Sequence, residues 1–325
     1  MKKYFKNKNI VIIIITLTLT NIVFWSCEDT DYTILPDPIQ QLSAESVSAT
    51  EGLVGSEITI TGSNFSVVPS NNKVLFNDVS SIVKSVTETE LVVEIPNAVP
   101  SGKTSAVVSL SVSHGQYSVD LGDFTVVKPI VDLVIPLTDD NDDVEEVAVD
   151  FGDPVGTMKL DSSDLELGEK SSGEGLMNIG LRYNNISIPK GVIINKAFIQ
   201  FNTDNTGSNP VELTIYGENS GNAQSYSVSL GDLSSRPLTS ANEIWSVPEW
   251  VNIGDRGNAQ KTINIASIIQ EIVNRSDWEP GNSINIIMKH SGVSLNATSS
   301  SGGREAENYS PSAPEHGAEL TIQYQ

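Results

Sequence analysis

Short β-rich runs recur along this chain, each closed by a polar turn, and that alternation restricts the fold to an all-β architecture. Glu57-Ile58-Thr59-Ile60-Thr61 ends at Gly62-Ser63-Asn64. Lys73-Val74-Leu75-Phe76 ends at Asn77-Asp78, and Leu91-Val92-Val93-Glu94-Ile95 at Pro96-Asn97. Further runs at 106–112 and 123–127 complete a first set. Short strands with regular punctuation predict a β-sandwich over 42–127. A second set, at 176–183, 197–201, 211–216, 284–288 and 318–324, predicts a larger sandwich over 139–325. Period-two alternation is visible there in Ala197-Phe198-Ile199-Gln200-Phe201 and in Leu213-Thr214-Ile215-Tyr216. One segment, 264–275, departs from it. Ile265, Ile268, Ile269, Ile272 and Val273 sit at helical spacing, which predicts one amphipathic helix laid on the second sandwich. Residues 128–138 read as a linker between the two.

The N-terminus constrains where such a fold works. Lys2, Lys3, Lys6 and Lys8 precede a nearly continuous apolar run over 10–25, followed by Ser26 and Cys27, the only cysteine. This is a secretory leader with a small residue before the cleavage point. A cysteine placed immediately after it resembles a bacterial lipobox, which implies a signal peptide over 1–26 and a lipid on Cys27. Multiple acyl chains anchor stably where one is marginal. An uncleaved membrane anchor and free secretion are the two alternatives; the apolar run is short against the roughly 20 residues a span needs. The acids Glu28, Asp29 and Asp31 resemble the export tags of surface lipoproteins in Bacteroidetes-type bacteria, which implies an outer-membrane lipoprotein facing the medium. Residues 27–41 carry little apolar surface and read as a flexible tether.

The chain has 325 residues with 19 basic and 41 acidic side chains. Without the leader's four lysines the balance is 15 against 41, or −26. Such a surface repels nucleic acid and anionic headgroups and suits solubility or divalent cations. The membrane is met through the lipid anchor only. One cysteine allows no internal disulfide, so stability rests on core burial and on metal if one binds.

Two resemblances follow from particular residues. Gly52-x-x-Gly55-x-x-Ile58-Thr59-Ile60-x-Gly62-x-Asn64-Phe65 resembles the opening of IPT/TIG immunoglobulin-like domains. Val74-x-Phe76-Asn77, Thr89-Glu90-Leu91-Val92-Val93-x-Ile95-Pro96 and Ser101-Gly102-Lys103 continue it. It implies a spacer or interaction module. In the second region, Ser162-Ser163-Asp164-Leu165-Glu166-Leu167, Gly180-Leu181-Arg182-Tyr183, Leu213-Thr214-Ile215-x-Gly217-Glu218 and the 268–282 segment resemble a β-jelly-roll module of the DNRLRE type. Some such modules are classed as carbohydrate-binding and linked with alginate.

Catalytic constellations find little support. His114, His290 and His316 lie far apart, Gly-x-Ser-x-Gly is absent, and no Cys/His cluster exists for zinc. The best metal candidate is the acidic run Asp142, Asp143, Glu145 and Glu146, whose carboxylates suit calcium, with a solvated acidic linker as the alternative. Strand alternation would send Asp143 and Glu145 to one face and the others elsewhere. For glycan binding the expected platforms are Tyr226, Trp245, Trp250 and Tyr309, because aromatic rings stack on the C–H faces of sugars. An inward-folded tryptophan is the competing reading for Trp245 and Trp250, and Trp278 reads as core. Arg304, in Ser301-Gly302-Gly303-Arg304, would serve an acidic glycan. Arg182 is expected to pair with a buried acid such as Glu305.

Together these observations lead to an expectation of a non-catalytic surface lipoprotein. An immunoglobulin-like spacer would hold a jelly roll out to capture polysaccharide beside an outer-membrane glycan transporter. The rival readings are an adhesin with a protein ligand and a lyase or esterase built on a β-sandwich.

Overall fold

The computed structural model describes residues 41–149, 152–168, 175–296 and 303–325. The leader, Cys27 and residues 27–40 of the expected tether lie outside the described residues.

The first sandwich is built from β1 (Ser43–Val47), β2 (Glu51–Leu53), β3 (Glu57–Ser63), β4 (Asn72–Phe76), β5 (Val79–Ser80), β6 (Ile82–Val86), β7 (Glu90–Glu94), β8 (Ser105–His114) and β9 (Tyr117–Val127). One sheet has the order β1-β3-β7-β6 and the other β2-β9-β8-β4-β5. Alternation decides which faces meet. Ile58 and Ile60 of β3 stand beside Val93 and Leu91 of β7 and point inward, while Glu57, Thr59 and Thr61 point out. On the inner face of the second sheet, Phe76 of β4 and Phe124 of β9 meet edge to face over β8, with ring centroids 5.4 Å apart.

The second sandwich adds β10 (Val131–Pro136), β11 (Asp143–Val149), β12 (Met158–Lys159), β13 (Asp164–Leu167), β14 (Leu176–Ile186), β15 (Ile194–Gln200), β16 (Thr203–Asn205), β17 (Val211–Glu218), β18 (Leu238–Val247), β19 (Asn282–His290), β20 (Arg304–Glu307) and β21 (Glu319–Tyr324). A six-stranded sheet, β12-β11-β14-β19-β17-β18, shares one core with two three-stranded sheets, β10-β21-β15 and β13-β20-β16. The expected helix is α1 (Ala266–Val273). It buries Ile268, Ile269, Ile272 and Val273, the stripe its spacing predicts. Both sandwiches agree with the all-β expectation.

The linker does not. Residues 131–136 form β10, paired along its length with β21 from Val131↔Tyr324 to Pro136↔Glu319. Ile135 is buried in the second core and Leu133 packs against it, so this short apolar run is an edge strand of the second sandwich.

The outer face of the six-stranded sheet is also covered. Residues 219–237, between β17 and β18, fold back across it, and Tyr226 and Leu233 pack with Val144, Met158 and Ile287. Gly180 permits this approach: a Cβ there would lie 2.5 Å from the Tyr226 hydroxyl and 2.8 Å from Leu233. Arg236 locks the cover down, bridging Glu218 at 2.8 Å and Asp232 at 2.9 Å with its guanidinium 4.4 Å from the Tyr226 ring centroid.

Candidate functional site

Where the covering loop ends, the outer face opens into a polar pocket of about 600 Å³. Three segments meet there. Thr138, Asp139, Asn141 and Asp142 come from the turn before β11; Arg182, Asn184 and Asn185 from the end of β14; Asn222, Gln224, Ser225 and Tyr226 from the covering loop. Gly281 and Ser283 complete the wall. Alternation explains Arg182 and Asn184, which share the outer parity of Gly180, while Leu181 and Tyr183 face the core. A register shift between Tyr183 and Ile186 leaves Asn185 in the left-handed region, at φ 55°, a conformation asparagine tolerates better than most residues.

Hydrogen bonds fix the floor. Arg182 donates from Nη1 to Asp142 Oδ1 at 2.8 Å, from Nε to the Ala223 carbonyl at 3.0 Å and from Nη2 to Ser283 Oγ at 3.3 Å. Asn184 donates to the other oxygen of Asp142 and accepts from Ser283 Oγ at 2.8 Å. Asn222 Oδ1 accepts from the Ser283 backbone N–H at 3.0 Å, pinning the loop to β19. Burial raises the Asp142 carboxyl above its usual range, and Arg182 and Asn184 oppose that shift. At the rim, hydrogen bonds from Asn141 hold Asp139 below the usual range. The remaining groups face solvent. Asn185, Asn222 and Gln224 are exposed, and the Asn222 amide nitrogen has no protein partner among the described residues. Amides of this kind offer paired donors and acceptors to a ligand of the same character.

Of the expected glycan platforms, only Tyr226 lines this pocket, and its hydroxyl is held by Asn285. Trp245 and Trp250 are corrected to core residues, 2% and 1% exposed. Trp245 stands opposite Leu213 and stacks on Phe201 at 6.0 Å, and Trp250 tilts onto the same ring at 6.4 Å. Trp250 Nε1 donates to the Ala259 carbonyl at 3.0 Å. Neither indole offers a face to a sugar. Trp278 is buried as expected, its Nε1 donating to the Ile188 carbonyl at 3.0 Å. Arg304 is likewise no ligand arm. It is buried beside the two tryptophans and donates to the backbone carbonyls of Pro248, Asn209 and Val247. Tyr309 is half-buried against the second core, away from the pocket lining. Arg182 pairs with Asp142 and not with Glu305.

The acidic run is a second correction. Asp142, Asp143, Glu145 and Glu146 are all buried, and they do not converge on one point. Asp142 belongs to the pocket. Asp143 Oδ2 accepts from the Tyr309 N–H at 2.6 Å, while its Oδ1 is buried with no hydrogen-bond partner. Glu145 accepts from the Glu166 N–H at 2.5 Å and from Ser162 Oγ at 2.9 Å. Glu146 accepts from the Ser234 N–H at 2.8 Å on the opposite face. Three of these carboxylates, Asp143, Glu145 and Glu146, each take a backbone N–H from a distant segment, and Asp142 takes side-chain donors. Burial pushes Asp143 up to about 7 and Glu145 well above the carboxylate range, with Glu166 adding to the latter shift. Among the described residues, the carboxylates close enough to hold a metal ion together are Asp164, Asp204 and Glu305, with ligand oxygens within 4.8 Å of one another.

Sequence reasoning passed over the pocket's amides. The available signals were the Asn184-Asn185 doublet closing a long apolar strand and the Asn222-x-Gln224 pair in a polar loop.

No curated protein matches the chain. Among solved structures it is similar to a protein of unknown function from Bacteroides thetaiotaomicron, at 19% identity over 44% of this chain and 36% of that one, with a TM-score of 0.26. It thus spans about a third of that protein's length. An SGBP-B from a complex xyloglucan utilization locus of Bacteroides uniformis matches at 13% identity over 86% of this chain and 71% of that one, with a TM-score of 0.21. The surface glycan-binding protein PbSGBP-B of Prevotella bryantii matches at 14% identity over 87% and 75%, with a TM-score of 0.22. For the first sandwich the resemblance read from its glycines and strands is met by a family model: residues 42–126 match the IPT/TIG domain.

Proposed function

We propose that this chain is a surface lipoprotein, anchored through Cys27, that captures an extracellular polysaccharide without turning it over. The IPT/TIG sandwich acts as spacer and the second sandwich as binding module, presenting glycan to an outer-membrane transporter. The observation that carries this reading is the pocket between the 138–142 turn, the end of β14 and the covering loop. Its size falls within the range of small-ligand sites, though its lining is far more polar than theirs. Asparagine, glutamine and serine side chains on a hydrogen-bonded floor suit a ligand made of hydroxyls.

The test is a glycan array on the purified protein, followed by calorimetry on the best ligand with the wild type and an Asn222→Ala/Gln224→Ala double variant. Both residues are exposed, but Asn222 Oδ1 also pins the loop to the Ser283 N–H, so a matching melt and a Gln224→Ala single variant, which keeps that pin, separate a lost ligand contact from a loosened loop. Affinity should fall tenfold or more, on the order of 1 kcal/mol for each hydrogen bond lost. Undiminished affinity in the double variant would remove the pocket from the reading, and release of shorter products during incubation would replace capture by catalysis.

A further inference from the structure

We infer that the pocket is built for a neutral, hydroxyl-rich sugar and selects against uronates and other anionic glycans. This inference rests on the proposed glycan capture and specifies its ligand class.

The argument is one of donors and charge. A carboxylate is an acceptor only, and proteins hold it best with an open arginine fork or a surplus of positive charge. Among the described residues that line the pocket Arg182 is the only cation, and each of its three nitrogens is already engaged, by Asp142, the Ala223 carbonyl and Ser283. Its charge is balanced by Asp142 at 2.8 Å. The second acid, Asp139, stands at the rim with its charge uncompensated within the lining, so the site as a whole is net negative. The chain around it carries −22, which adds a repulsive field for any polyanion. A sugar hydroxyl fits this lining differently. It donates and accepts at once, as do Asn185, Asn222 and Gln224, and it pays no electrostatic penalty at Asp139. Like charge set against like across a binding site is a recognised device for excluding a ligand.

The experiment uses matched pairs: neutral oligosaccharides of several backbones and the same oligosaccharides oxidised at C6 to uronates, titrated into the purified protein at about 0.05 M and about 0.5 M salt. The neutral member of the preferred pair should bind at least about tenfold tighter than its uronate, with an affinity that salt leaves unchanged, and Asp139→Asn should narrow the ratio severalfold. A uronate that binds as tightly as its neutral partner, with affinity weakened by salt and by Asn222→Ala/Gln224→Ala, would overturn the selectivity while leaving capture in this pocket intact. A ratio unmoved by Asp139→Asn would overturn the role given to that charge. If no member of either series binds, or if binding is indifferent to the pocket variants, the glycan reading of the pocket itself falls.

Discussion

Two buried titratable groups in the second sandwich pull its stability in opposite directions with pH, and separating them tests how these groups are held. Asp143 is 4% exposed and its pKa rises from 3.8 to about 7 because burial disfavours the charge. The folded state therefore binds this proton more tightly than the unfolded chain. Its stabilising contribution is fully present below pH 3.8 and is lost as the pH rises through about 7. His290 has the opposite sign. It is buried, and burial lowers its pKa from 6.5 to about 4, opposed only by the backbone of Met177. Its contribution is present above 6.5 and is lost as the pH falls through about 4. Between about pH 5 and about pH 8, linkage takes about 3 kcal/mol away through Asp143 and returns about 2 kcal/mol through His290. The two nearly cancel in the wild type, and Glu145, also raised, adds to the loss at high pH. Asp143→Asn should tilt the pH profile upward by about 3 kcal/mol across that interval, and His290→Leu should tilt it downward by about 2 kcal/mol. Urea midpoints read by tryptophan fluorescence measure this cleanly, because Trp245, Trp250 and Trp278 are all buried in the second core and the first sandwich contains no tryptophan. An Asp143→Asn profile parallel to wild type would refute the reasoning, since it would mean that Asp143 is ionised in the folded protein and its charge is met by some other group.

Trp245→Ala and Trp250→Ala should each destabilise the second sandwich by about 3–5 kcal/mol, because each empties a large buried volume against Phe201; a variant that melts like wild type would return that indole to the surface. Fragments 41–128 and 129–325 should each melt cooperatively, whereas a fragment starting at 139 should lose stability because it lacks β10 and leaves β21 with an open edge; equal melts for 129–325 and 139–325 would show β10 to be dispensable. Any rise in melting temperature produced by calcium should vanish in Asp204→Asn and persist in Glu146→Gln, since only the former belongs to the convergent carboxylates; the reverse result would return the ion to the acids of β11.

Much of this architecture is legible in the residues themselves. The runs around Ile58, Val74, Leu91, Phe198 and Ile215 alternate with period two and become strands, and the isoleucines of 265–272 repeat at helical spacing and become α1. Such patterns are local, because a strand or helix face is defined by side chains a few positions apart. The 142–146 run is different. Five residues containing four acids look like solvated chain, yet they begin a strand buried on both faces. What makes that tolerable is distant: backbone donors of Glu166, Ser234 and Tyr309 and the guanidinium of Arg182. Trp245 and Trp250, set among polar neighbours in the chain, were claimed for the core by Phe201, more than forty residues earlier. The pocket is the clearest instance. Its turn, strand end and loop are separated by about forty residues each, and only the pairing order β11-β14-β19, with the covering loop pinned by Asn222 to Ser283, brings Asp142, Arg182 and Asn222 to one place. Periodicity in the sequence determined the strands, the helix and their inward faces. Which polar groups would be buried, and which would meet around a ligand, depended on long-range donors and on sheet order, and those exist only once the chain has folded.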